Sequence, residues 1–417
     1  MTPRPSLEVA DIFRHYAAPY LMSHRASPQQ QRVMRVLQAC RTAVLGGHVE
    51  QCDQCGHQAI SYNSCGNRHC PKCQGPARAR WLDARAGELL PVPYFHVVFT
   101  LPGILAPLAL QNPKVVYGLL FQAVAATLLE VAANPKQMGA RIGFLTVLHT
   151  WGQNLLHHPH VHCVVPAGGL APDGMHWVAG RADFFLPVRV LSRVFRGKFI
   201  DLLKTAFRQG ELQFHGNLLP LATPTALEQR LDESVQKEWV VYAKPPFGGP
   251  AQVLKYLARY THRVAISNHR LLRLENGQVT FRWKDYAHGN QPSIMTLEAT
   301  EFIRRFLLHV MPQSFVRIRY YGYLANRHRQ ENLERCRQLL GPQQRPETSH
   351  NTAATWSAAA PGEDRGAGQC PRCQQGRMCI VGLLEVSVPR TALVRRRSTV
   401  SRVGLTPASS DGVITSQ

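Results

Sequence analysis

Three groups of residues in this 417-residue chain have types and spacings suited to chemistry. The first is a histidine pair. His160-Val161-His162 opens an apolar run inside the segment WGQNLLHHPHVHCVVP, residues 151–166. In a strand, residues i and i+2 face the same side, so both imidazoles project together while Val161 turns the other way. Two imidazoles in an apolar run need a reason for their burial, and shared ligation of a divalent ion supplies one. Gln153 carries a hard amide oxygen suited to magnesium or manganese and is the expected third ligand, with His149 and Asn154 as rivals. His157 and His158 precede Pro159 and are expected in a turn.

The second group lies in AQVLKYLARYT, residues 251–261. Tyr256 and Tyr260 are spaced i, i+4, which puts both hydroxyls on one face of a helix. Two core tyrosines on an amphipathic helix are the plainer reading. Lys255, Arg259 and Arg263 flank them, however, and a tyrosine among cations can meet a phosphate. A further cluster, Tyr320, Tyr321 and Tyr323, sits among Arg317, Arg319, Arg327 and Arg329. It reads as strand and DNA-contact residues, not as nucleophiles.

The third group is cysteine. Cys52-x2-Cys55 and Cys70-x2-Cys73 are two knuckles separated by fourteen residues. Two such knuckles can supply a tetrahedral sulfur cage for zinc. Cys65, His48, His57 and His69 are left over, as substitutes for one ligand or members of a second site. Arg68, Lys72, Arg78 and Arg80 lie close by and suit a DNA-docking role. Cys370-Pro-Arg-Cys373 begins another knuckle, but no second pair follows it, and Cys379 alone does not complete one. Cys40, Cys163 and Cys336 stand isolated.

The elements that must position these groups follow from pattern. Residues 6–46 and 76–90 are expected to be helical. Residues 94–101 (YFHVVFTL), 142–150 and 161–166 read as strands rich in β-branched and aromatic residues. The apolar stretch 115–133 is long enough to span a membrane. Gln122 and Glu130 interrupt it and prolines bracket it, so a buried helix of a soluble domain is expected. Residues 238–243 form another expected strand. Residues 271–274 and 278–283 alternate around Glu275-Asn276-Gly277, a hairpin signal, and 298–310 is an amphipathic helix. This order predicts an α+β domain on an antiparallel sheet. From about residue 341 the composition turns to Pro, Gln, Ser, Thr, Ala and Gly, which suits a linker and a poorly ordered tail. The expected division is 1–90, 91–335 and 336–417.

The charge narrows the partner. Lys and Arg number 48 against 26 Asp and Glu, a formal net charge of +22. Such a surface repels itself unless a polyanion offsets it, and nucleic acid is the natural one. No secretory signal is evident near the first residues, so a reducing cytosol, with metal rather than disulfides on the paired cysteines, is expected.

The zinc knuckles, the His-x-His pair and Tyr-x3-Tyr occur in one order on one basic chain. That constellation resembles the two-tyrosine HUH rolling-circle transposases of the insertion-sequence-ninety-one type. CRTAVLGGHVEQCDQCG and SCGNRHCPKCQ look like that family's N-terminal zinc domain. FHVVFTLP, HTWGQNLLHHPHVHCVVPAGG, YLARYTHRVAISN and RIRYYGYLANRHR look like its transposase domain. The likeness covers roughly residues 7–340. It implies a ferredoxin-like or RRM-like HUH nuclease sheet carrying the histidines centrally, with the tyrosine helix across the metal. It implies structural Zn2+, catalytic Mg2+ or Mn2+, and single-stranded DNA at transposon ends and target as substrate. Tyr256 and Tyr260 would be the catalytic nucleophiles, the first strand being held as a 5′-phosphotyrosine; their order of action is open. Lys255, Arg259 and Arg263 would position phosphates. The expected location is the bacterial cytoplasm, on the nucleoid, without a membrane. The family often carries a zinc-like Cys-x-x-Cys in its tail, so a tail truncated or frame-altered here would put full activity in doubt. A zinc-dependent DNA-binding protein without catalysis, or a rolling-circle replication initiator, are the alternatives.

Overall fold

A computed structural model describes residues 7–181, 183–244, 264–285, 291–341 and 368–386. Lys255, Tyr256, Arg259, Tyr260 and Arg263 lie outside these described residues.

The chain begins with α1 (Val9–Ser23) and α2 (Pro28–Ala39). Ser27 and Gln30 start α2 with a reciprocal cap: Gln30 N donates to Ser27 Oγ at 3.2 Å, and Ser27 N donates to Gln30 Oε1 at 2.9 Å. Pro28 then takes the first helical position, where its missing N–H costs nothing. The hairpin β1 (Gly47–Cys52) and β2 (Gln58–Tyr62) follows, and then α3 (Pro71–Ala86), which starts directly after Cys70.

The principal sheet is built from β3 (Tyr94–Thr100), β4 (Gly143–Trp151) and β5 (His157–Pro166). Between β3 and β4 run α4 (Ala106–Gln111) and α5 (Pro113–Ala133). After β5 come the short pair β6 (Gly168–Leu170) and β7 (Trp177–Ala179), then α6 (Val188–Arg208), α7 (Pro224–Val235) and β8 (Val241–Lys244). Next are β9 (Leu271–Glu275), β10 (Gln278–Asp285), β11 (Gln291–Glu298), α8 (Ala299–Leu307), β12 (Ile318–Gly322), α9 (Arg329–Leu340) and β13 (Met378–Leu384). The five-stranded sheet has the order β12-β4-β5-β3-β8, with every neighbouring pair antiparallel. The fold is therefore α+β on antiparallel sheets, as expected, with β5 at the centre.

Period-two alternation sorts the side chains of this sheet. Phe95, Val97 and Phe99 of β3 share a core with Val161, Cys163 and Val165 of β5, under α5 and α6. The opposite face carries Tyr94, Leu145, Val147 and Val164, which pack against Trp81 of α3. α5 is long and apolar enough to cross a membrane, but Val116, Leu120, Phe121, Val124 and Leu128 are buried in the sheet core. One expectation is corrected here. β5 begins at His157, so His157 and His158 belong to the strand. The turn occupies residues 152–156, with Leu155 at φ 63°.

A second core joins the two ends of the expected domain map. Val9, Phe13, Val33 and Leu37 pack with Phe281, Phe302 and Phe306. Phe13 meets Phe306 edge-on at 5.3 Å, Val9 N donates to Asn268 Oδ1 at 3.1 Å, and Gln30 Nε2 donates to Leu307 O at 3.1 Å. The hairpin that carries this core, β9–β10, turns through Asn276 and Gly277 at φ 50° and 75°, the left-handed pair a two-residue turn requires. The 1–90 segment is thus not a separately closed unit. Within the expected 336–417 segment, β13 adds to the β1–β2 hairpin as a third strand, and residues 342–367 and 387–417 lie outside the described residues.

Because this core is shared, Phe306→Ala should cost about 3–5 kcal/mol and weaken the N-terminal helices and the β9–β11 sheet together. Urea unfolding followed by circular dichroism checks this. A loss below about 1 kcal/mol, or separate transitions for the two parts, would contradict a shared core.

Candidate metal centres

The three imidazoles of His149, His160 and His162 converge, with their ligand atoms within 4.8 Å of one another. Register explains the convergence. His160 and His162 lie on one face of β5, and His149 on β4 is the direct cross-strand partner of His160. Ring centroids are 4.8 Å apart for His160–His162, 4.4 Å for His149–His162 and 5.5 Å for His149–His160. His149 and His162 are buried, at 1% and 7% exposure. His160 is half-buried and forms the open side.

Neighbours orient the rings of His160 and His162. His160 Nδ1 is 2.7 Å from the His158 carbonyl. A carbonyl only accepts, so Nδ1 carries the proton and Nε2 keeps its lone pair. His162 Nδ1 is 2.8 Å from His96 Nε2, and the two rings stack at 12°. Burial pushes His96 down to about 4, so at neutral pH it is uncharged and its Nε2 can accept a proton from His162 Nδ1. In that tautomer His162 Nε2 is free to act as a ligand atom. Trp151 stacks on His149 at 4.7 Å and holds that ring against the sheet.

His149, a rival in the sequence, joins the cluster. Gln153 sits in the β4–β5 turn, where its carbonyl accepts from Arg270 Nη2 at 2.5 Å. His309 anchors the same turn: its Nε2 is 2.9 Å from Leu155 O and its Nδ1 is 3.2 Å from Thr150 Oγ1. His96 and His309 were not anticipated as support, since each is a lone histidine in an apolar context.

The arginine cluster divides. Arg327 is exposed. Arg319 lies over the Phe121 ring at 4.2 Å, and Arg329 lies over Tyr320 at 4.6 Å while pairing with Glu88 at 3.3 Å. Arg317 lines a crevice with Arg68, His69, Trp151 and His309. Burial and the nearby Arg68 lower it to about 10. Packing thus engages Arg317, Arg319 and Arg329, whereas Arg327 stands clear at the surface.

The cysteines also regroup. Cys52, Cys55, Cys70 and Cys73 do not form one cage. Cys70 and Cys73 converge with Cys40 and Cys65, whereas Cys52 and Cys55 converge with Cys370 and Cys373. In the first set Cys40–Cys73 and Cys65–Cys73 are 3.6 Å apart and Cys70–Cys40 3.5 Å, sulfur to sulfur. A tetrahedral ion with Zn–S near 2.3 Å places its sulfurs about 3.8 Å apart, while a disulfide requires about 2.05 Å. All four are free thiols, so the set fits a structural zinc ion. It fixes the end of α2 to the start of α3. Cys40 was missed because it stands far from any knuckle in sequence. The His48, His57 and His69 side chains are outside both sets; His48 pairs with Glu50 at 2.8 Å.

Comparison with known proteins agrees with both parts of this architecture. A family model described as a transposase zinc-binding domain matches residues 12–101, and one described as a putative transposase matches residues 143–332. The putative transposase y4qJ of Sinorhizobium fredii is 55% identical over 392 residues, 92% of this chain and 96% of that protein. The transposase for insertion sequence element IS801 of Pseudomonas savastanoi pv. phaseolicola is 30% identical over 301 residues, covering 69% of this chain and 68% of that protein. No solved structure matches. The chain belongs to the insertion-sequence transposases of the ninety-one type, which join a zinc-binding domain to a transposase domain.

Two outcomes follow from the histidines. His160→Ala or His149→Ala should each weaken manganese binding by more than tenfold, and His96→Ala by about 10–100-fold, in calorimetric titration. Unchanged affinity in His149→Ala would exclude it as third ligand. His309, which burial pushes down to about 3, is neutral in the fold and near 6.5 when unfolded. Its contribution to stability is complete above pH 6.5 and is lost as pH falls from there toward 3, by up to about 1.4 kcal/mol per unit. His309→Gln should therefore flatten the denaturation midpoint between pH 7 and pH 5. An unchanged slope would contradict this.

Proposed function

We propose that this transposase cuts and rejoins single-stranded DNA at the ends of its element and at the target, through a tyrosine nucleophile. The observation that carries the reading is the convergence of His149, His160 and His162 on one face of the central strand. A DNA-binding protein without catalysis has no use for three inward-facing imidazoles in a mostly buried site. Magnesium or manganese held there would neutralise charge on the non-bridging oxygens of the scissile phosphate.

The protein groups divide the remaining work. His149, His160 and His162 present ring nitrogens, and His96 and the His158 carbonyl hold two of these rings in orientation. One tyrosine of the pair Tyr256 and Tyr260 supplies the first nucleophile. Its hydroxyl gives up a proton and attacks phosphorus, the bond from phosphorus to the 3′-oxygen breaks, and that oxygen takes a proton. The product is a 5′-phosphotyrosine and a free 3′-hydroxyl. Ester exchange of this kind keeps the bond energy, so a later attack by a 3′-hydroxyl can rejoin strands without ATP. The other tyrosine takes the second strand while the first is held. Lys255, Arg259 and Arg263 suit the flanking phosphates, and exposed Arg327 extends the basic surface. The net charge of +22 draws DNA to the site. Action on the nucleoid places the protein in the bacterial cytoplasm.

The test is incubation of the protein with manganese and labelled single strands from the element's ends, followed by a denaturing gel. Label should migrate with the protein, and should vanish with EDTA or in Tyr256→Phe/Tyr260→Phe. Normal strand transfer by that double variant would overturn the mechanism. Salt-dependent binding with no covalent band would leave a DNA-binding protein in its place.

A further inference from the structure

Cys52, Cys55, Cys370 and Cys373 come from opposite ends of the chain, and only the first two fall within the zinc-binding match at residues 12–101. We infer that these four hold a second zinc ion, and that this ion locks residues 368–386 onto the N-terminal hairpin. The sulfurs alternate between the two ends: Cys52 and Cys373 are 3.7 Å apart, and Cys55 and Cys370 are 3.7 Å apart. These separations match the roughly 3.8 Å edge of a zinc–sulfur tetrahedron and are far too long for a disulfide.

Both pairs are folded as knuckles. Cys55 N donates to Cys52 Sγ at 3.5 Å, Arg372 N to Cys370 Sγ at 3.4 Å, and Gly376 N to Cys373 Sγ at 3.3 Å. Each pair is followed by a left-handed residue, Gly56 at φ 68° and Gln374 at φ 57°. N–H groups aimed at sulfur favour the thiolate that a zinc ion needs.

The backbone is fitted to the same end. Asp53 N donates to Arg377 O at 3.0 Å, and Arg377 N returns to Asp53 Oδ1 at 2.8 Å. Strand pairing then runs from Cys52 opposite Met378 to Gly47 opposite Leu384. At Gly376 the approach is so close that an added Cβ would lie 2.4 Å from Cys52 Sγ.

Apolar burial does not account for this attachment. Ile380, Val381 and Leu383 of β13 are 54%, 56% and 83% exposed. The buried cluster at the junction is Cys52, Cys370 and Met378. A strand with so small a core needs another source of stability, and a four-thiolate zinc centre is the usual one for small folds. Cys379 is not part of the set; it is exposed and its sulfur lies near the Arg377 carbonyl.

The decisive measurement is zinc per chain by mass spectrometry of the full-length protein. We expect two ions in the parent protein and in Cys379→Ser, and one in Cys370→Ser/Cys373→Ser and in Gly376→Val, which keeps every ligand. A parent count of one, or a count that stays at two in the cysteine double variant, overturns the inference. A cadmium-substituted parent protein decides the matter without any variant. Nuclear magnetic resonance should show two four-thiolate sites, and a single one would refute the split centre.

Discussion

The site depends on the alternation of one strand. β5 places Val161, Cys163 and Val165 in the core under α5 and α6, and this commits His160 and His162 to the other face. A one-residue slip would reverse the assignment and drive imidazoles into the apolar core. Burial of one set of side chains thereby fixes the direction of the other. The neighbouring register then brings His149 opposite His160 and His96 to His162. The turn that sets this register is itself anchored by His309 and Arg270.

Around that sheet the chain closes on itself twice. The N-terminal helices complete a core begun by β9–β11 and α8. The Cys40 set sits within the same core and ties α2 to α3, whose Trp81 covers the far end of the histidine face. The zinc-binding part is therefore framework for the transposase part. It packs beside the strands that carry the histidines, with Arg68 and His69 near Trp151. Loss of the zinc in this set would loosen the wall of the site as well as the N-terminal segment.

Much of this arrangement was legible in the residues. Strong local patterns gave β3, β4, the apolar α5 and the β9–β10 hairpin, because alternation and a two-residue left-handed turn are local properties. The His-x-His pair was legible for the same reason. The cysteine partners were not. Two knuckles close in sequence invite pairing with each other, yet each finds its partners elsewhere, at Cys40 and Cys65 or at Cys370 and Cys373. Long-range pairing of this kind leaves no periodic trace. His149 was recognisable only as a rival, since its role depends on strand register. The rings beneath Arg319 and Arg329 were not legible either, since Phe121 and Tyr320 meet these guanidinium groups only in the fold.

The central claim is that one divalent ion sits between His149, His160 and His162. The most direct measurement is anomalous diffraction from crystals of the protein grown with manganese. The account predicts a manganese peak within bonding distance of all three rings, with His160 toward the open side. A peak elsewhere on the protein, or none between these rings at saturating manganese, would contradict it.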